Sequence, residues 1–311
     1  CKVPREMRMD AHRHDRLTGR LCVVAAALMW SSCGLFARAP IFDDWPVTQR
    51  GLLFAFWRTA FAALVLLPTV RRPRFRPMLV PLAICFTLMN VTYLSAMILT
   101  TPANAIWLQS AAPWWVFLFS VVLFREPVVR RDLIPLGFGM AGVGTILAFE
   151  ILARPDQNLA GIACGVASGI AYGGVVFFMG RLNTENASWL VALNHAIAAA
   201  AMFPLVVTLG LWPSPSQLLV LAAFGALQMA VPYLLLIRGL RSIRAQEAVS
   251  IGLIEPVLMP LWTYLIWGVT AAWWTILGGA LILTGLLYRY VFLDLRERAW
   301  RGSAQPPKLG H

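Results

Sequence analysis

The sequence predicts an all-α integral membrane protein with ten transmembrane helices arranged as two inverted five-helix repeats. Three observations predict it. The 311 residues are 59% hydrophobic and 13% charged, with mean hydropathy +0.70, whereas a soluble domain carries about 25% charged residues because its surface faces water. The apolar residues fall into ten stretches of about 20, the length a helix needs to cross a hydrocarbon core about 30 Å thick. The two halves of the chain can also be overlaid on each other.

In chain order the stretches are 20–40, 51–70, 77–99, 104–124, 132–152, 159–180, 188–209, 215–237, 246–267 and 271–293. One such run occurs in the core of a soluble protein; ten in succession do not. The basic residues then orient them. With the N-terminus in the cytoplasm, the inside segments hold 22 of the 26 Lys and Arg residues, including Arg71, Arg72, Arg74 and Arg76, Arg125, Arg130 and Arg131, and Arg238, Arg241 and Arg244. Only Arg38, Arg50 and Arg154 lie outside, and Arg58 lies within a span. This is the positive-inside bias, and an even number of spans puts both termini in the cytoplasm. The organisation expected is a basic tail (1–19), a first repeat (20–152), a second repeat (159–293) and a second cytoplasmic tail (294–311), with a short external linker at Arg154–Asn158.

A net charge of +12 is thus explained by topology. Nucleic acid is excluded as a partner, because no soluble basic face is left to offer it. The expected partners are the bilayer of the cytoplasmic (inner) membrane and a small-molecule substrate; no feature of the sequence fixes an oligomeric state. Cys1 is not an ordinary first residue, so Met7 or Met9 is the expected start. No small-residue cleavage site follows the first apolar run, which is expected to stay as a helix rather than leave as a signal peptide. Cys22, Cys33, Cys85 and Cys164 match no zinc or redox spacing. No metal and no cofactor is expected, and His12 and His14 fall in a tail expected to be disordered.

The duplication rests on ordered matches. A shift of 140 places Leu79, Val80, Ala83, Met89, Val91, Tyr93 and Leu94 on identical residues from Leu219 to Leu234. A shift of 143 places Pro113 on Pro256, one of 141 places Gly137 and Gly144 on Gly278 and Gly285, and one of 142 places Trp30 on Tyr172. Five spans is an odd number, so the second copy enters the membrane from the opposite side. That architecture belongs to carriers, since exchanging the conformations of the halves exchanges the open sides.

Ionisable groups at membrane depth are costly and are functional candidates by default. Glu255 lies about 15 Å from the inner edge and Arg58 about 12 Å from the outer edge, at about 1.5 Å per residue. Both fall near the midplane, where repeat-built carriers bind substrate. Their functional readings are a carboxylate partner for Arg58 and an ammonium, or a coupling proton, for Glu255. The competing reading is an internal salt bridge. Pro113 and Pro256 occupy matching points and each removes a backbone hydrogen bond, so they read as paired hinges flanking a central site or as kinks for packing. Trp30, Asn90, Tyr93, Trp107, Gln109, Tyr172 and Tyr233 complete the candidate lining, with Ser31, Asn104, Asn194, His195 and Gln228 at similar depth. Tyr93 and Tyr233 are expected to face each other across the pseudo-two-fold axis. His195 reads as a packed histidine.

Gly161, Gly165, Gly169 and Gly173 recur every fourth residue and form a smooth stripe for helix packing. Gly137-Phe138-Gly139-Met140-Ala141-Gly142 matches a dinucleotide fingerprint, but that motif needs a preceding strand, and here it sits inside an apolar helix. Trp45, Trp189, Trp212, Trp273 and Trp274 lie near span ends and read as interface anchors. No nucleotide-binding loop, zinc-protease motif or intramembrane aspartate pair is present, and no catalytic residue is assigned. A membrane-embedded transferase would need clustered Asp, His or Cys at the membrane surface, where the loops here are short and arginine-rich.

The chain resembles the EamA-type branch of the drug/metabolite transporter superfamily over residues 18–292. The resemblance is carried by Trp30-Ser31, Phe56-Trp57-Arg58, the Pro113 helix ending in Phe124-Arg125-Glu126-Pro127, the glycines of the fifth span and Ile254-Glu255-Pro256-Val257. The family usually closes the ninth span with Gly-Glu, where this chain has Gly268-Val269. The resemblance implies transport, often export, of small metabolites such as amino acids, without ATP. An uncoupled facilitator of the same fold is the alternative.

Overall fold

A computed structural model describes residues 5–70, 73–125, 133–153, 159–182, 184–293 and 295. Arg71, Arg72, Glu126, Pro127, Arg130, Arg131, the Arg154–Asn158 linker and most of the C-terminal tail lie outside the described residues.

Apolar composition forces the backbone to satisfy its own hydrogen bonds, because lipid offers none. The described chain accordingly folds into helices: α1 (Arg5–Ser31), α2 (Cys33–Ala37), α3 (Val47–Leu66), α4 (Leu79–Leu99), α5 (Pro102–Ser110), α6 (Ala112–Phe124), α7 (Leu133–Ala153), α8 (Leu159–Arg181), α9 (Ala187–Leu209), α10 (Pro215–Gly225), α11 (Val231–Gly239), α12 (Ala245–Gly252), α13 (Ile254–Trp267) and α14 (Trp273–Leu287). Grouped by continuity, they give ten spans long and apolar enough to cross a membrane. α1 starts at Arg5, so the tail expected to be disordered is helical from that residue. Leu64, Val80, Leu152, Leu219, Leu265 and Ile276 project outward and are each more than 60% exposed. In water each would forfeit about 1.5–3 kcal/mol of burial; against acyl chains that loss disappears.

Four spans are interrupted along their length, and the second and tenth end in a 3-10 turn (Leu67–Thr69) and a π-turn (Tyr288–Phe292). The fourth breaks at Ala111, between α5 and α6, and the ninth at Leu253, between α12 and α13. Pro113 and Pro256 stand in the first turn of the half-helix that follows each break, where a missing N–H costs nothing because that turn has no acceptor within its own helix. The first span is interrupted at Ser32, whose Oγ donates to the Met29 carbonyl. The eighth carries a π-turn at Ala226–Ala230.

The glycine stripe of α8 lies against the first repeat. A Cβ on Gly161 would strike Leu99 and Thr100; on Gly165, Leu108; on Gly169, the Leu108 carbonyl; on Gly173, Trp115. Gly142 and Gly278 meet backbone to backbone, joining α7 to α14. The dinucleotide-like glycines thus serve helix contact at Gly142, while Gly137 and Gly139 face open space.

With ten spans, both ends of the spanning region lie on one side, called here the terminal side. The far side is tightly tied. Arg38 donates to the Thr100 carbonyl, Trp267 Nε1 to the Leu35 carbonyl at 3.1 Å, and Gln217 Nε2 to Asp44 Oδ1 and the Ile41 carbonyl, both at 2.8 Å. Arg50 pairs with Asp43 at 3.1 Å and donates to the Trp45 carbonyl. Beneath this cap Phe36, Phe42, Trp45, Phe54 and Phe224 form one ring cluster, with centroids 4.8–6.1 Å apart.

On the terminal side the ties fall into two separate groups. Arg20–Glu247, at 2.5 Å, and Ser250 Oγ to the Tyr290 carbonyl join the first, ninth and tenth spans. Arg76–Glu185, at 3.0 Å, and Trp189 Nε1 to the Arg74 carbonyl join the third, sixth and seventh spans and their loops. α8 packs on α4, α5 and α6 and makes no substantial contact with α12 or α13. Among the described residues the far side is the more closely tied end.

Candidate functional site

Arg58 is the polar centre of the molecule. The tenth and eleventh residues of α3 are Phe56 and Trp57, bulky neighbours that face elsewhere, and Arg58 turns inward with 1% exposure. Gly225 lets α10 lie directly on α3, since a Cβ there would meet the Arg58 carbonyl at 2.7 Å. The adjoining π-turn then presents Gln228; π-turns within helices often mark such functional positions. Arg58 Nη1 donates to Gln228 Oε1 and to Cys33 Sγ, both at 3.3 Å, and Nη2 donates to Asn90 Oδ1. Its guanidinium carbon stands 5.3 Å from the centroid of the Phe224 ring. Asn90 Nδ2 donates in turn to the Phe86 carbonyl, and Gln228 Nε2 to the Trp30 carbonyl. The cation is thus held by neutral acceptors from both repeats.

Glu255 lies on the opposite wall, in the first turn of α13. A half-helix that begins in the middle of the membrane brings the positive end of its dipole there, which favours a carboxylate at that point. Glu255 is partly buried and makes no ion pair or hydrogen bond among the described residues. The internal salt bridge with Arg58, the competing reading of the sequence, is not formed, although the charge of Arg58 reaches Glu255. Tyr172, on α8, is 38% exposed. Trp30 stacks edge-on to Tyr233, 5.2 Å between centroids. At Gly252, one turn before Glu255, nothing lies within 4 Å of where a Cβ would stand.

The other candidates are placed as follows. Tyr93 is 5% exposed and directs its hydroxyl to Met259 Sδ at 3.6 Å, whereas Tyr233 sits against Trp30 and His195. The two tyrosines take different partners, and no ring contact joins them among the described residues. Trp107, 7% exposed, lies across Gly279 of α14 and packs the tenth span onto α5. Gln109 is buried at the end of α5 with no hydrogen-bond partner among the described residues. His195 Nδ1–H donates to the Val191 carbonyl at 2.7 Å, and the ring lies between those of Phe86 and Tyr233.

Three of the tryptophans expected at the membrane interface are instead buried. Trp45 enters the far-side ring cluster, Trp189 bonds the Arg74 carbonyl, and Trp274 bonds Glu150. A buried indole N–H needs an acceptor, and each of the latter two has found one. Trp212 and Trp273 are more than half exposed.

Sequence reasoning missed Glu150 and Trp262, the partner of Ser31. Glu150, 4% exposed near the end of α7, accepts from Asn104 Nδ2 at 2.8 Å and Trp274 Nε1 at 3.1 Å, while Thr275 Oγ1 donates to Asn104 Oδ1 at 2.7 Å. This network ties the fourth, fifth and tenth spans on the far side. Ser31 accepts from Trp262 Nε1 at 3.0 Å, joining α1 to α13. A separate apolar cleft of about 330 Å³ lies between α4, α6 and α8, lined by Leu88, Phe119, Ile170 and Phe178. It holds no charged side chain and is distinct from the Glu255 wall. No group of His, Cys, Asp and Glu able to hold a metal occurs among the described residues.

The comparisons with known proteins agree with this architecture. An uncharacterized transporter of Archaeoglobus fulgidus is 29% identical over 278 residues, covering 86% of this chain and 95% of its own. A solved crystal structure superposes with a TM-score of 0.62 at 19% identity, over 89% of this chain and 97% of that one, which shows a shared fold. The EamA-like transporter family matches twice, at residues 17–148 and 159–290, once on each five-span copy. Two family units filling a ten-span, helically duplicated membrane protein leave one assignment: this chain is a member of the EamA-like transporter family.

Proposed function

We propose that the protein is a secondary carrier that moves a small organic metabolite, an amino acid or a similar amphipathic compound, across the cytoplasmic membrane by alternating access, in the outward direction. One observation carries this reading. In this reading the two separate groups of terminal-side ties leave a gap between them, and Glu255, in the first turn of the half-helix α13, stands beside it with no hydrogen bond or ion pair among the described residues. Basic loops on the terminal side make that side cytoplasmic under the positive-inside rule, so the gap is an inward-open entrance.

In this reading Glu255, Tyr172, Tyr233 and Trp30 meet the substrate. Arg58 and Asn90 hold the two repeats together beside it, with Tyr93, Trp107 and Gln109 as supporting wall. Pro113 and Pro256 mark the hinge points, and the domain bounds are the two repeats at 20–152 and 159–293.

The test is counterflow in proteoliposomes. Saturable exchange of an amphipathic metabolite, lost in Glu255→Gln while the protein stays monodisperse, is expected. A flux that never saturates sinks the carrier reading. Saturable exchange indifferent both to a proton gradient and to Glu255→Gln makes the protein an uncoupled facilitator in which Glu255 is structural.

A further inference from the structure

The apolar cleft between α4, α6 and α8 has a lining that selects its occupant. Ala171 and Gly174 are buried and form its floor, where α8 lies so close to α4 that a Cβ on Gly174 would stand 2.6 Å from Cys85 Sγ. Leu88 and Ile170, 53% and 37% exposed, form its lips toward the bilayer. Thr92, the one hydroxyl among the described residues that line it, already donates to the Leu88 carbonyl of its own helix at 2.7 Å. A polar metabolite would lose its water there and gain no partner. The cleft accepts hydrocarbon.

Its position matches one leaflet. On α8 the lining runs from Ala167 to Phe178, a rise of about 16 Å at about 1.5 Å per residue, or half of a hydrocarbon core about 30 Å thick. Ala167 lies near the middle of α8, and Phe178 lies close to its terminal-side end at Arg181. Each wall carries an arginine at that end: Arg76 before α4, Arg125 after α6 and Arg181 closing α8. Arg76 is engaged by Glu185 at 3.0 Å. Arg125 is exposed, and the Arg181 guanidinium carbon stands 5.0 Å from the centroid of Phe177, a ring that lines the cleft. Basic groups beside a pocket between membrane helices bind anionic headgroups. An acyl chain thus suits the cleft, and a phosphate suits its mouth.

We propose that the cleft is a binding site for an anionic phospholipid of the terminal-side leaflet: one acyl chain lies between α4, α6 and α8, and Arg125 and Arg181 attract the headgroup phosphate. α4 and α6 belong to the first repeat and α8 to the second, so the lipid spans the junction of the two copies. Its site is separate from the Glu255 wall and independent of the transported metabolite.

The experiment uses the full-length protein, purified in detergent and stripped of lipid. The probes are dioleoyl phosphatidylglycerol, dioleoyl phosphatidylethanolamine and chain-free glycerol 3-phosphate. Retention is read by native mass spectrometry, and stabilisation by thermal shift. Phosphatidylglycerol is expected to stay bound and to raise the melting temperature, and glycerol 3-phosphate to do neither. Phosphatidylethanolamine, whose ammonium cancels the charge, is expected to bind at least about fivefold more weakly, the scale of one basic contact with an anionic lipid surface. Arg125→Gln and Arg181→Gln each weaken phosphatidylglycerol binding by about fivefold. Ala167→Leu fills the midplane end of the cleft and abolishes retention. Ile170→Trp, on the half-open lip, gives the same reading where Ala167→Leu does not fold.

Equal binding of the two lipids, or binding untouched by both arginine variants, overturns the anionic site. Phosphatidylglycerol held as tightly when the cleft is filled means that the lipid sits elsewhere, and overturns the assignment to the cleft. Binding of glycerol 3-phosphate as tight as that of the lipid, or retention of no lipid at all, overturns it as well.

Discussion

Arg58 is buried among neutral partners, and that sets the consequence of changing it. Removing a charged group from a fully enclosed hydrogen-bond network leaves Asn90 Oδ1 and Gln228 Oε1 with acceptors unfilled. Arg58→Ala is expected to destabilise the protein by about 3–5 kcal/mol, read as a fall in melting temperature in detergent. Arg58→Lys recovers part of this, because a point charge reaches fewer acceptors than a fork. Glu150 obeys a gentler rule. Its network asks it only to accept, so Glu150→Gln keeps the fold, whereas Glu150→Ala strands Asn104 and Trp274 and costs about 1–3 kcal/mol. Equal melting temperatures for the two variants would contradict the network. The depth of Arg58 was legible from its distance to Arg50, but its enclosure was not. Nothing in the spacing says that Gln228 and Cys33, 170 and 25 residues away, converge on it. Glu150 was missed because a carboxylate close to the end of an apolar run reads as a group that escapes to water.

The elements show where periodicity suffices and where it fails. The glycine stripe of α8 was readable from its spacing, since a repeat of four residues draws a line along one helix face. Which neighbour it meets makes a graded prediction. At Gly169 a new Cβ would lie 2.6 Å from the Leu108 carbonyl, part of a rigid backbone, while at Gly165 it would meet the movable end of the Leu108 side chain at 2.5 Å. Gly169→Ala is expected to cost about 1–3 kcal/mol and Gly165→Ala clearly less. Gly139→Ala, in open space, is neutral or stabilising by up to about 1 kcal/mol through helix propensity. A thermal-unfolding series that ranks the three otherwise refutes the packing described. The paired prolines pointed to the breaks at Ala111 and Leu253. The interruption at Ser32 and the π-turn at Ala226–Ala230 carried no such mark. Both lie where distant residues meet the helix, Trp262 at Ser31 of α1 and Arg58 at Gln228 of the eighth span, and a local pattern does not register such partners.

For the molecule as a whole, charge placement and the internal overlay gave the topology, because both reflect how each span was inserted. Which end is the more closely tied was not legible, since it depends on side chains that meet from distant parts of the chain, such as Gln217 on Asp44 and Trp267 on Leu35, and not on the hydrophobic pattern. Labelling tests the conformation. In a variant whose native cysteines are replaced, Gly252→Cys is expected to react with a membrane-impermeant maleimide added from the terminal side. Phe42→Cys, under the far-side cap with 1% exposure, is expected to stay unreactive from both sides. Reaction at Phe42→Cys from the far side would mean that the cap does not close.

The acid of α13 has no twin. The register that sets Pro256 on Pro113 sets Glu255 on Ala112, so the duplicated scaffold supplies two equivalent half-helix starts and charges only one. A cargo held by that single carboxylate rests off the symmetry axis, nearer the second copy. Trading the shapes of the two halves does not, then, regenerate an equivalent resting place. In a carrier that works by trading the shapes of its two halves, the two open states of such a site differ in binding strength even when the same cargo occupies both, and a lone side chain biases the cycle.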